Sequence, residues 1–149
     1  MLNDGLKLKG RVGLVLKDKD GNVKESREID NLVVSAGLTY IASRMVGTAK
    51  NVMSHMGLGS GSTAASAGDT DLGSLLGARE ALDSSTASTN TIVYVASFEA
   101  GDATGAITEA GLFNAASAGD MLCRTVFSVI SKAADDTLSV SWTITLTAS

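Results

Sequence analysis

The chain of 149 residues contains no proline, one cysteine and one histidine, and only 4% of its residues are aromatic. Each scarcity excludes something. With Cys123 alone there is no internal disulfide, a pattern that fits a reducing compartment. With His55 alone no histidine cluster can hold a metal, and the usual zinc ligand sets are out of reach. A Ser or Cys nucleophile would need His55 as its base, and nothing in the spacing brings the two together. So few aromatic rings leave little material for a sugar-binding platform. The net charge of −4 lacks the basic face that displaces counterions from nucleic acid, and the mild cluster Lys7, Lys9, Arg11 and Lys17 is soon offset by Asp18, Asp20 and Glu25. The opening "MLNDGLKLKG" has no apolar core of signal-peptide length, and no window approaches a membrane span. The sequence therefore predicts no nucleic-acid partner and no membrane, with production and assembly in a cytoplasm.

What the chain does have is glycine, 16 of them, and 44% hydrophobic residues, enough for one globular domain over 1–149. In "TLSVSWTITLTA", Leu138, Val140, Trp142, Ile144 and Leu146 alternate with serine and threonine, the period of a strand buried on one face. The alternation predicts even-numbered residues inward, with Trp142 in the core. Leu6–Lys17 alternates similarly. Asp20-Gly21 then supplies a hairpin turn, and a strand returns through Val23–Val34. "TIVYVASF" (Thr91–Phe98) and "MLCRTVFSVI" (Met121–Ile130) are apolar at both parities, which predicts central strands covered on both sides, or on one side plus a partner. "AITEAGLFNA" reads as a further strand ended by the "ASAGD" turn, and "NVMSHMGLG" as a weaker one. Leu38, Ile41, Ala42 and Met45 fall at helical spacing within Ala36–Val46, with Ser35 as N-cap and Gly47 as stop. Asp69 or Thr70 would cap a shorter second turn carrying Leu72, Leu75 and Leu76. Ser60–Ser66 and Ser84–Asn90 read as low-complexity loops. With no internal repeat and no linker, the expected fold is all-β, an antiparallel β-sandwich of jelly-roll type with one or two short helices.

The stretch "MGLGSGSTAASAGDTDL" (Met56–Leu72) raises the question of a phosphate cradle. A P-loop needs a lysine after its last glycine, and Gly57–Leu76 contains none. A dinucleotide fingerprint needs a sixth-place glycine; that place holds Ser62 counted from Gly57 and Ala64 counted from Gly59. The stretch therefore reads as a small-residue corner. "DKDGN" (Asp18–Asn22) fails as an EF-hand, with Gly21 at loop position four and Ile29 at twelve. Glu99, Asp102 and Glu109 are the carboxylates a general acid–base pair would draw on, but Glu99 and Asp102 flank a glycine-containing turn where solvated carboxylates are expected. Cys123 sits in an apolar run and is expected to be buried and inert. The reading assigns no catalytic, cofactor-binding or metal residue, and no enzymatic activity.

At Gly105–Phe127, "GAITEAGLFNAASAGDMLCRTVF", the chain resembles a module of tailed-bacteriophage virion structural proteins. The "TEAGLFNA…GDML.R..F" block is followed by an "L.V.W.I.L" terminal strand. "NLVVSAGLTYIASRMVG" (Asn31–Gly47) and "GLGSGSTAASAGDTDLGSLLGAR" (Gly57–Arg79) extend the resemblance over most of the chain. The module occurs in capsid-surface and in tail-fibre proteins, and the latter are usually longer. At this size the chain is similar to capsid decoration (cement) proteins. That likeness implies a non-enzymatic protein on the virion capsid surface, bound to the major capsid protein, with a tail-fibre or receptor-binding component as the alternative. Strands apolar on both faces in a short chain further predict a homo-dimer or homo-trimer.

Overall fold

The computed structural model describes residues 5–148. Met1–Asp4 of the opening segment, and the two ends of the expected 1–149 domain, lie outside the described residues. Among the described residues nine strands form one antiparallel sheet: β1 (Leu6–Lys17), β2 (Val23–Val33), β3 (His55–Gly59), β4 (Glu80–Ala81), β5 (Ser84–Ser88), β6 (Thr91–Phe98), β7 (Gly105–Phe113), β8 (Met121–Lys132) and β9 (Thr137–Ala148). Their order across the sheet is β4-β3-β7-β8-β2-β1-β9-β6-β5. The sheet curls into a nearly closed half-barrel, and with one short helix the molecule belongs to the β-sandwich or barrel class in general.

The curl comes from β2. Its residues from Val23 to Asn31 pair with β1, but only Leu32 and Val33 pair with β8, opposite Arg124 and Cys123. Between the diverging strands side chains replace the backbone ladder. Arg27 donates to the carbonyls of Ser128 and, at 2.9 Å, Val129, while Thr125 Oγ1 donates to Asp30 O at 3.1 Å. The half-sheets on either side of this wedge turn their inner faces to one core. Val12, Leu14, Leu138, Val140 and Trp142 meet Met56, Leu58, Ile107, Leu112 and Ile130 there. The even-numbered residues of β9 from Leu138 to Ile144 are buried, as the alternation requires.

The β1–β2 hairpin forms where expected, with Asp18 Oδ1 accepting the amides of Asp20 and Asn22. The helix α1 (Ser35–Met45) is also present, and Gly47, at φ +72°, follows its C-cap. Its N-terminus differs from expectation. Val34 is the N-cap, no side chain caps it, and the Ser35 amide is satisfied instead by Ala67 O at 2.7 Å.

Three other expectations are corrected. The second helical turn does not form, because the Leu72–Leu76 backbone is engaged elsewhere. The amides of Gly73 and Ser74 reach a side chain described below, Leu76 N bonds Leu58 O, and Leu75 bridges Gly59. Ser84–Asn90 is not a loop but β5 with its turn; the strand is held by its pairing to β6 and exposes every side chain, so it carries no apolar signal. β6 lies one place from the edge, and of its residues only Ala96 and Phe98 are fully buried. β8 fits its expectation better: residues 121–125 are buried, with Cys123 in the core. Met121 joins Val34 and Phe113 in a second cluster, packed with Ala36 and Leu72.

Candidate functional site

The segment 60–79 closes over β7 and β8, and a buried polar cluster lies beneath it. A register shift in β7 between Ile107 and Glu109 puts Ile107, Ala110 and Leu112 in the core and turns Glu109 towards this segment. Glu109 is fully buried. Its Oε2 accepts the amides of Gly61 at 2.6 Å and Ser74 at 2.8 Å, and its Oε1 accepts Gly73 N at 2.8 Å. Arg124 on β8 completes the set, with Nε at 3.1 Å and Nη2 at 3.0 Å from Oε1. The same guanidinium reaches Asp69 Oδ2 at 2.8 Å and Thr63 O at 3.0 Å. Thr108 Oγ1 holds Gly61 O at 2.7 Å.

Burial alone would raise the Glu109 carboxyl. The amides of Gly73, Ser74 and Gly61 and the Arg124 guanidinium outweigh it, and the group stays below its ordinary value. Asp69 is lowered in turn, first by the Ser66 amide and then, against desolvation, by Arg124. The glycine-rich stretch is thus a ring of inward backbone donors, the arrangement used to bind anions. Its anion is the chain's own carboxylate. Gly59 is needed for the closeness of this fit: a Cβ there would stand 2.5 Å from Ser74 O and 2.6 Å from Glu109 Oε2.

Two further buried cations are also engaged within the chain. Arg79 lies 3.5 Å over the Phe113 ring and donates to Ala115 O at 3.0 Å and Ala118 O at 2.8 Å. Lys132 donates to Glu99 O at 2.8 Å, and burial holds its amine below the usual lysine value despite Asp102, Asp136 and Glu99 nearby. Asp136 binds Lys24 at 2.7 Å and the Ala133 amide at 2.8 Å, and both partners lower it.

The three carboxylates singled out in the sequence do not converge. Glu99 and Asp102 share a turn in which Asp102 Oδ2 accepts the Glu99 amide at 3.1 Å, whereas Glu109 is enclosed with Arg124. Cys123 is buried and burial pushes its thiol up, away from the thiolate. His55 does meet a hydroxyl, which its spacing had not indicated: Ser54 Oγ lies 2.8 Å from Nδ1. No group of three or more His, Cys, Asp or Glu side chains suited to a metal ion occurs among the described residues. Sequence reasoning missed the Glu109–Arg124 cluster. The available signal was one carboxylate and one guanidinium, each set among apolar residues within a strand, with a glycine-rich segment between two strands to cover them.

The outer surface differs in character. Leu38, Met45, Val46 and Val52 are exposed along and just after α1, Met45 and Val46 each to 81%. Comparison with protein-family models, curated proteins and solved structures returns no match.

Proposed function

We propose that this chain is a non-enzymatic binding protein of a virion, a capsid decoration (cement) protein that attaches to the major capsid protein and reinforces the shell. The observation offered for the binding role is that Leu38, Met45, Val46 and Val52, on α1 and in the segment after it, are exposed large apolar side chains that a partner surface would cover. The buried ionisable groups support it from the other side. Glu109, Arg124, Arg79 and Lys132 are each bonded within the chain and so serve the fold. The capsid as partner rests on the resemblance of "TEAGLFNA…GDML.R..F" and its companion segments to phage virion modules. In its finer form the fold is read as a β-sandwich of jelly-roll type, supported by the two half-sheets sharing one core.

Such a protein needs no chemistry, only modest binding free energy repeated over many copies. Self-association as a dimer or trimer belongs to this reading. The test is to add purified protein to capsids stripped of it and count the copies bound. Saturable binding together with a rise in capsid melting temperature is expected. Binding to host cells but not to capsids would instead establish the tail-fibre or receptor-binding alternative.

A further inference from the structure

We infer that the chain forms a two-fold dimer by antiparallel pairing of β5 with β5 of a second copy, centred on Thr86. The starting observation is how differently the strand edges are treated. Beyond β3, one end of the sheet is closed by the two-residue β4, by the Leu75 bridge to Gly59 and by Leu76 N bonding Leu58 O. The edges facing each other across the wedge are guarded by charge, since Arg27 on β2 caps the carbonyls of Ser128 and Val129 and Lys24 pairs with Asp136. β5, at the other end of the sheet, has no such guard. Its five residues, "SSTAS", contain no charge and no proline, all are exposed, and the register with β6 runs unbroken from Ser84↔Val95 to Ser88↔Thr91. Natural edges of this length usually carry a lysine, a proline, a bulge or a cover.

The strand also suits itself as a partner. Ser88 and Thr91 close the β5–β6 hairpin, so alternation along the ladder directs the amides and carbonyls of Ser85 and Ala87 away from β6. A second β5 turned about Thr86 sets Ser85 against Ala87 twice, which satisfies all four of those groups. It also puts Ser84 opposite Ser88 and Thr86 opposite Thr86, hydroxyl facing hydroxyl, a favourable cross-strand pairing. Between molecules of net charge −4, this is an approach along an uncharged strand with no like charge opposed across it. A groove of about 240 Å³, shared by Ser85–Ala87 with Tyr40, Val52, Ile92 and Tyr94, continues the seam as a cleft of mixed apolar and hydroxyl character. The far end of the sheet is closed, so the contact is isologous and stops at two copies without growing into a fibre.

This pairing deepens the self-association proposed above and does not depend on the capsid. The test is sedimentation of the native protein over a concentration series, with hydrogen exchange at each concentration. A reversible monomer–dimer equilibrium is expected, with the amides of Ser85 and Ala87 slowing as dimer forms. Thr86→Lys and Thr86→Glu, exposed edge changes, should each sediment as folded monomers because like charges meet at the axis. Mixed in equal amounts they should form a heterodimer. A native protein that stays monomeric, a dimer in which these amides still exchange freely, or variants that dimerise unchanged would overturn the pairing. Monomeric protein that still coats capsids would remove only the pairing; a β5 dimer that ignores capsids would remove only the capsid reading.

Discussion

Glu109 on β7 and Arg124 on β8 meet at 3.0 Å with side chains 0% and 3% exposed, and the segment 60–74 is fastened to the sheet through them. Removing water from both ions is expensive, and here the expense is offset by three backbone amides on the carboxylate and a second carboxylate on the guanidinium. Loss of one partner would leave the other buried with part of its compensation gone.

Arg124→Leu is therefore expected to cost about 3–5 kcal/mol of unfolding free energy. In a Glu109→Gln background it should cost less, because the carboxylate it would orphan is gone. The two changes form a double-mutant cycle read by urea unfolding. A coupling of about 0.5–3 kcal/mol is expected, and additive losses would show that the pair does not act as a unit.

Acid should release the same fastening. The folded Glu109 carboxyl lies below its ordinary value of 4.5, so its contribution to stability is fully present above that pH. The contribution is lost as pH falls through the lower, folded value, since the unfolded chain then binds the proton first. Asp69, also lowered, adds to the same limb. Melting temperature should hold level down to about pH 5 and then fall, and in Glu109→Gln the fall should be shallower. Identical acid limbs in the two proteins would contradict the assignment.

Strands were legible where their sides differ in solvent contact, as in β9 and β1, or where an apolar run is buried on both faces, as in the first half of β8. β9 alternates apolar with hydroxyl because one face meets the core, and β1 and β2 are joined by a turn whose residues mark themselves. Failures came where backbone groups have non-local partners. β5 consists of small exposed residues and exists by virtue of β6; Leu72–Leu76 has helical spacing but lends its amides to Glu109 and Leu58. The site failed for the same reason. That Gly57–Leu76 lacks a lysine was legible, whereas the occupant of its amides lay 36 and 48 residues further on.

Trp142 offers a separate test of the core. Its ring is buried, and its Nε1 reaches across β1, at the position of Gly10, to Asn31 Oδ1 at 2.9 Å. A Cβ at Gly10 would collide with the Asn31 side chain, whose Nδ2 has no partner. Trp142→Ala should cost about 3–5 kcal/mol through the cavity. Trp142→Phe keeps most of the volume but strands the Asn31 oxygen, an expected loss of about 1–3 kcal/mol. Asn31→Leu in the Phe background should recover part of that loss in thermal unfolding; no recovery would mean the hydrogen bond was not its source.

Gly59→Ala distinguishes a self-filled ring of donors from one awaiting a nucleotide. Gly59 does not have a positive φ, so the substitution strains no left-handed backbone, and its effect must come from contact. The added methyl meets Ser74 O at 2.5 Å, which holds the Ser60 amide, and Glu109 Oε2 at 2.6 Å, which holds the amides of Gly61 and Ser74, so either retreat breaks a hydrogen bond. Overpacking of this kind costs about 1–3 kcal/mol, which should appear as a lower melting temperature. Because the collision is within one chain, the loss should be the same at every protein concentration. ATP or GTP at saturating concentration should leave the melting temperature of both proteins unchanged, since a ligand bound to the native state must raise it. Glu109 already occupies the amides a phosphate would use. A nucleotide-dependent rise in the parent protein that disappears in Gly59→Ala would show that phosphate displaces the carboxylate, and the segment would then be a ligand site.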